Sequence, residues 1–130
     1  MEVKTANGTY EIKKPAGGIG TTSIIIIAGI SPKNPEFDEK GQPLLSTADE
    51  QRIMNGFKQW STEILPFVAE KTPFDDQIPE KYNEVDKLTK DELEELRKLK
   101  FELIPGEDQW IIFQKVVGEA NNAAASKKFR

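Results

Sequence analysis

Residues 46–68, STADEQRIMNGFKQWSTEILPFV, contain the clearest helix signal in this sequence. Apolar side chains recur at steps of three and four, which places them along one side of an α-helix. They are Ile53, Phe57, Trp60, Ile64 and Val68. Ser46 is expected to open the helix, Thr47 and Glu50 have the spacing of a capping box, and Pro66 is expected to kink or end it. We therefore predict an amphipathic helix that buries this side in a core.

Two more helices are predicted nearer the carboxyl terminus. Thr89 and Glu92 form a second capping box ahead of leucines at helical spacing, and Pro105-Gly106 ends that helix. Asp108 is predicted to cap the last helix. The apolar positions of this last helix are taken to include Trp110, Ile111, Phe113, Val117 and Ala120.

The amino-terminal residues predict a β-hairpin. Val3, Thr5, Tyr10 and Ile12 alternate with polar neighbours, as in a pair of half-buried strands. Asn7-Gly8 favours a type I′ turn, whose two central residues both require positive φ. Because two strands alone are marginally stable, the hairpin is expected to pack on the helices.

The segment between the hairpin and the first helix signal is ambiguous. Residues 15–20 contain three glycines and are interpreted as a flexible joint. Periodicity does not decide residues 24–30: the isoleucines favour a buried strand, whereas the preceding Thr and Ser and the following Ala favour a short buried helix. We slightly favour the helix. Residues 31–43 and 72–79 are rich in proline and are predicted as loops.

These elements together predict a mainly α chain of the α+β class, with an N-terminal β-hairpin packed on a bundle of about four helices. The chain has 130 residues, which suits one domain. We assign residues 1–120 to this domain and expect residues 121–130, which are small and polar, to form a flexible C-terminal tail.

The composition argues against catalysis, cofactors and bound metal. The chain has no cysteine and no histidine, which removes thiolate chemistry, the commonest metal ligand and the commonest general base. Residues 17–22, GGIGTT, lack the lysine of a phosphate-binding loop. The acidic residues around Glu94 and Glu95 lie beside Arg97 and Lys98, so pairing on a helix surface explains them. We expect a protein that is not an enzyme.

Charge and hydropathy also argue against nucleic-acid and membrane partners. The formal net charge is −4, so no positive field attracts polyanions. The longest apolar run, residues 24–30, is too short to span a bilayer. The lack of cysteine is compatible with a cytoplasmic location, which we expect.

Binding to another protein is the functional mode that the sequence favours. Several amphipathic helices in one small protein form grooves that accept a partner helix. Most aromatic residues at such positions are core, but some are expected to line the groove. The candidate partner-binding residues are Phe57, Trp60, Ile64, Trp110 and Phe113.

Three segments resemble the tail assembly chaperones of long-tailed bacteriophages and related proviruses. Residues 7–15, NGTYEIKKP, are similar to the NGKTYEIRKP-like openings of these proteins. Residues 57–66, FKQWSTEILP, resemble their WxxEVLP segment, and residues 105–113, PGEDQWIIF, resemble their late PGDDQxxIF segment. The three segments occur in the same order as in that family and span most of the chain.

The resemblance implies a mostly helical assembly factor that is absent from the finished virion. Its client would be the tape measure protein, a long helical chain whose apolar surfaces need masking before the tail tube covers them. It would act in the host cytoplasm, with self-association as a second kind of contact. Two alternatives stay open: a virion structural subunit of the tail-terminator or head–tail connector type, and a host regulatory adaptor.

Overall fold

The computed structural model describes residues 1–30, 36–41, 43–44 and 46–128 and confirms the predicted mainly helical fold with an N-terminal hairpin. The strands are β1 (Glu2–Thr5), β2 (Gly8–Ile12), β3 (Glu36–Phe37), β4 (Pro43–Leu44) and β5 (Ala69–Lys71). The helices are α1 (Gly17–Ile30), α2 (Thr47–Glu63), α3 (Leu65–Val68), α4 (Lys90–Leu103) and α5 (Gly106–Lys128).

The hairpin forms where the sequence predicts it, but its turn lies one residue earlier. Thr5 pairs with Gly8, so Ala6 and Asn7 are the central turn residues, and neither has positive φ. The type I′ prediction for Asn7-Gly8 is therefore wrong. Gly8 still needs to be glycine: its φ is +138°, and a Cβ there would lie 2.7 Å from Pro73 Cγ. The unpredicted strand β5 adds to β2 and completes a sheet of order β1-β2-β5.

Residues 24–30, for which the sequence favours both a strand and a helix, are helical and belong to α1. This helix begins at Gly17, so the glycines predicted as a flexible joint instead form its first turn. Ile26 and Ile30 are buried on the side facing α2. Packing of these isoleucines outweighs the weak helix propensity of the glycines, because tertiary burial supplies most of the stability of a short helix.

Helix α2 follows the prediction with one shift at its start. Ser46 is the N-cap and forms the capping box with Asp49, one residue before the predicted Thr47–Glu50 pair. Gly56 faces α1 so closely that a Cβ would lie 2.4 Å from Ile30 Cγ2. As predicted, regular helix ends before Pro66, which lies in the first turn of α3.

The two carboxyl-terminal helices meet at a tight corner. The predicted capping box of Thr89 and Glu92 opens α4. Gln109 closes the corner by donating from Nε2 to the carbonyl oxygens of Phe101 and Ile104. Asp108 is not the cap, because α5 has already begun at Gly106. On α5, Ile112 is fully buried, whereas the predicted Ile111 is 39% exposed.

The predicted loops contain short regular pieces. β3 lies within the stretch predicted as a loop over residues 31–43 and pairs with β4, which extends one residue beyond that stretch. Residues 31–35 and 42 lie outside the described part. Three single 3-10 turns, Asp75–Gln77, Glu80–Tyr82 and Val85–Lys87, connect β5 to α4. The backbone of α5 continues to Lys128, and the flexible tail over residues 121–130 stays a prediction.

Candidate functional site

A buried polar cluster joins the hairpin to the start of α5. The Asp108 carboxylate is 1% exposed, and its Oδ2 accepts from the Tyr10 hydroxyl at 2.6 Å and from Asn7 Nδ2 at 3.0 Å. Burial raises the pKa of Tyr10, and the hydrogen bond and charge of Asp108 raise it further. The phenol therefore stays protonated as a donor. This cluster fixes the hairpin on α5.

The five predicted partner-binding residues lie together around α2 and α5, but most are inaccessible. Trp60, Ile64 and Phe113 are at most 2% exposed and belong to the core. Phe57 and Trp110 are half-buried, with ring centroids 5.0 Å apart in an edge-on arrangement. The rings of Trp60 and Phe113, 5.7 Å apart, continue this aromatic cluster inward. Partner binding through any of the five stays a prediction, for which only Phe57 and Trp110 present surface.

A separate opening lies between α1 and α5. Both helices contact α2, and an apolar groove of about 500 Å³ runs beside them, with the fully buried Trp60 beneath its floor and the end of β2 at one end. We call this feature the α1–α5 groove. Its lining residues are Met1, Ile12, Lys13, Lys14, Pro15, Gly20, Ser23, Ile24, Ile27, Trp60, Val116, Glu119 and Ala120.

The floor of the α1–α5 groove is held by one buried hydrogen bond. Trp60 Nε1 donates to Ser23 Oγ at 3.1 Å, and both side chains are at most 4% exposed. The indole N–H is therefore satisfied within the protein. The remaining floor and walls are mostly aliphatic, so a ligand in the groove would gain chiefly from burial of apolar surface.

The α1 wall also exposes unusually apolar surface. Ile24 is 70% exposed and Ile25 is 65% exposed. No residue of the fourteen in α1 is charged. Single exposed apolar residues are common, but Ile24 also lines the groove, so a partner seated there would cover it.

Sequence reasoning did not identify this groove, although one signal was available. Residues 24–27 are four consecutive isoleucines. Successive residues on a helix point about 100° apart, so four in a row surround most of its circumference. Once the segment is read as a helix at the edge of a small domain, at least one isoleucine must face outward.

The described residues offer no clear support for other kinds of site. Within them, no three acidic side chains converge on a point where a metal ion would bind. A helix long and apolar enough to cross a membrane is likewise not found in that part of the chain.

Comparison of the chain with protein-family models, with curated proteins and with solved structures gave no match.

Proposed function

We propose that this chain is a non-catalytic protein-binding factor and that the α1–α5 groove receives an amphipathic helix of its client. The observation that carries the proposal is the groove itself, an apolar cleft of about 500 Å³ beside the exposed Ile24 and Ile25. A helix laid along it would contact α1 on one side and α5 on the other. Apolar residues at spacings of three and four would point to the floor.

The proposal extends to a viral tail assembly chaperone. The resemblance of residues 7–15, 57–66 and 105–113 to that family supports this reading, and the client would then be the helical tape measure protein. A shallow apolar groove suits temporary masking, because affinity from a few aliphatic contacts leaves the complex reversible. The client would be released as tail-tube subunits cover it.

Co-expression with the proposed client tests this function. The client is the product of a very long helix-rich reading frame directly downstream of the gene, whose presence is itself expected. We expect the purified chain to keep that product soluble and to form a complex with it in size-exclusion chromatography. Ile24→Asp should abolish the complex, whereas Ile111→Asp, the same change on an exposed α5 residue outside the groove, should not.

The main alternative, a virion structural subunit, predicts a different result. Such a subunit would assemble with itself and remain in purified particles. A chaperone would be present in infected cells and absent from finished virions. Detection of the chain in purified particles by mass spectrometry, at the stoichiometry of a ring, would overturn the chaperone proposal.

A further inference from the structure

The α1–α5 groove is basic at one end, although the protein as a whole is acidic. Its charged lining residues are Lys13, Lys14 and Glu119, in a chain of net charge −4. Lys13 and Lys14 occupy the connection between β2 and α1, at the end of the groove where α1 begins. This end therefore differs in charge from most of the surface.

The two lysines have no acidic partner in the described part of the chain. Both are exposed, and neither lies within 4.0 Å of a carboxylate oxygen there. The position of Lys13 is nevertheless fixed, because its backbone N–H donates to the carbonyl oxygen of Val68 at 2.8 Å. The backbone at Lys13 is therefore anchored, and the side chains of Lys13 and Lys14 line this end of the groove.

A third cation, Lys100, lies near Lys13 but not in the lining of the groove. The Lys100 ammonium donates to the carbonyl oxygen of Ala69 at 3.0 Å. Burial lowers the pKa of Lys100, and repulsion from Lys13 lowers it further against the opposing attraction of Asp75 and Glu70. Lys13 is therefore close enough to Lys100 for the two charges to interact, while Asp75 and Glu70 offset the charge of Lys100, so the basic end of the groove consists of Lys13 and Lys14.

Resting on the function proposed above, we propose that the groove selects amphipathic helices that carry acidic residues at the end seated against Lys13 and Lys14. The aliphatic walls would bind the apolar face of such a helix, while the lysines would set its direction. Charge pairs at the rim of an interface contribute modestly to affinity and more strongly to association rate and orientation. The proposed acidic end is thus a specificity element.

Two synthetic helical peptides of roughly four turns test the proposal. They share one apolar face of leucine and alanine, and one carries three glutamates at an end where the other carries three lysines. We expect the full chain to bind the glutamate peptide about tenfold more tightly at low salt, with the difference shrinking as salt rises. Isothermal titration calorimetry at two salt concentrations measures the dissociation constant of each peptide and shows how their ratio changes with salt.

Charge reversal at the groove provides the matched variants. Lys13→Glu/Lys14→Glu should reverse the preference between the peptides, because the basic end becomes acidic. Lys90→Glu/Lys98→Glu makes the same net change on α4, away from the groove, and should leave the preference unchanged. Circular dichroism confirms that both variants keep the fold.

The outcomes separate this proposal from the one it rests on. If both peptides bind equally and the Lys13/Lys14 variant changes nothing, the groove binds helices but the acidic-end proposal is wrong. If neither peptide binds, both proposals fail. Binding of vesicles containing anionic phospholipid, without binding of either peptide, would also overturn both and assign the groove to a membrane surface.

Discussion

Two parts of α5 meet their neighbours in different ways: residues 106–113, the closed half, and residues 116–120, the open half of the range 106–120 whose side chains are described. The first half is closed: Asp108 holds the hairpin through buried hydrogen bonds, and Ile112 and Phe113 are at most 2% exposed. The second half is open: Val116 and Ala120 are only half-buried and line the α1–α5 groove. The same helix is therefore a core element at one end and a candidate binding wall at the other.

We expect this difference to separate residues of α5 that stabilise the fold from residues that bind a partner. Buried polar groups with matched partners fix how two elements meet, because any other arrangement leaves a donor or carboxylate unsatisfied. Aliphatic surfaces impose no such requirement and accept any partner of suitable shape. We therefore expect changes at the closed half to lower the free energy of unfolding, and changes at the open half to affect binding.

Trp60 connects the two regions and should show the largest effect. It is fully buried, contacts Phe113 in the closed half and lies beneath the floor of the groove. Trp60→Ala should lower the free energy of unfolding by about 3–5 kcal/mol in urea denaturation. Trp110→Ala, at a half-buried ring, should cost clearly less. An equal loss in the two variants would contradict the placement of Trp60 in the core.

Asp108→Ala removes the hydrogen bonds that join the closed half of α5 to the hairpin. It leaves the buried Tyr10 hydroxyl without its acceptor, so we expect a loss of about 2–3 kcal/mol in the free energy of unfolding. Glu107→Ala removes the neighbouring exposed carboxylate and should cost less than about 1 kcal/mol. Denaturation of the two variants side by side makes the comparison, and similar losses would show that the hydrogen bonds of Asp108 contribute little.

Gly56→Ala tests the close contact of α1 with α2. Alanine usually stabilises a helix relative to glycine by roughly 0.5–1 kcal/mol. Here its Cβ would lie 2.4 Å from Cγ2 of Ile30, a β-branched side chain with few rotamers, so we expect a net loss of about 1–2 kcal/mol. Gly118→Ala, which meets nothing within 4 Å, should stabilise the protein. If Gly56→Ala and Gly118→Ala shift the melting temperature in the same direction, the close contact of α1 with α2 is contradicted.

The smallest effect is a pH dependence at Tyr10. Burial and Asp108 raise the pKa of Tyr10 above its ordinary value of 10.0 in the folded state. Below pH 10 the Tyr10 phenol is protonated in both the folded and the unfolded state, and its interactions in the folded state contribute fully to the free energy of unfolding. As the pH rises further, the unfolded state ionises first, and stability falls by at most about 1.4 kcal/mol per pH unit. Tyr10→Phe should remove this component between pH 9.5 and 11, as measured by urea denaturation.

The sequence predicts local elements better than the contacts between them. The hairpin, the opening of α4 at Thr89 and the break at Pro66 depend on neighbouring residues, and each is found. The link from Asp108 to Tyr10 spans 98 positions, so Asp108 was mistaken for a helix cap, the role that its local surroundings favour. The added strand β5 was missed because it pairs at long range and has only three residues.

The groove was harder still to predict. It depends on how α1 and α5 lie on α2, and no periodic pattern in one segment contains that information. Aromatic residues at helical spacing suggested an interface around Trp60 and Phe113, but large rings fill cores more often than surfaces. The walls of the α1–α5 groove are instead formed mainly by small and aliphatic residues of α1 and α5.

Mapping the bound surface by nuclear magnetic resonance tests the central claim most directly. The full chain is titrated with the glutamate-ended helical peptide, and changes in backbone amide shifts are followed. We predict that the largest changes occur at Gly20, Ser23, Ile24, Ile27, Val116 and Ala120, with little change at Leu93 and Leu96 on α4. Shifts concentrated on α4, or on Phe57 and Trp110 without the groove residues, would contradict the account.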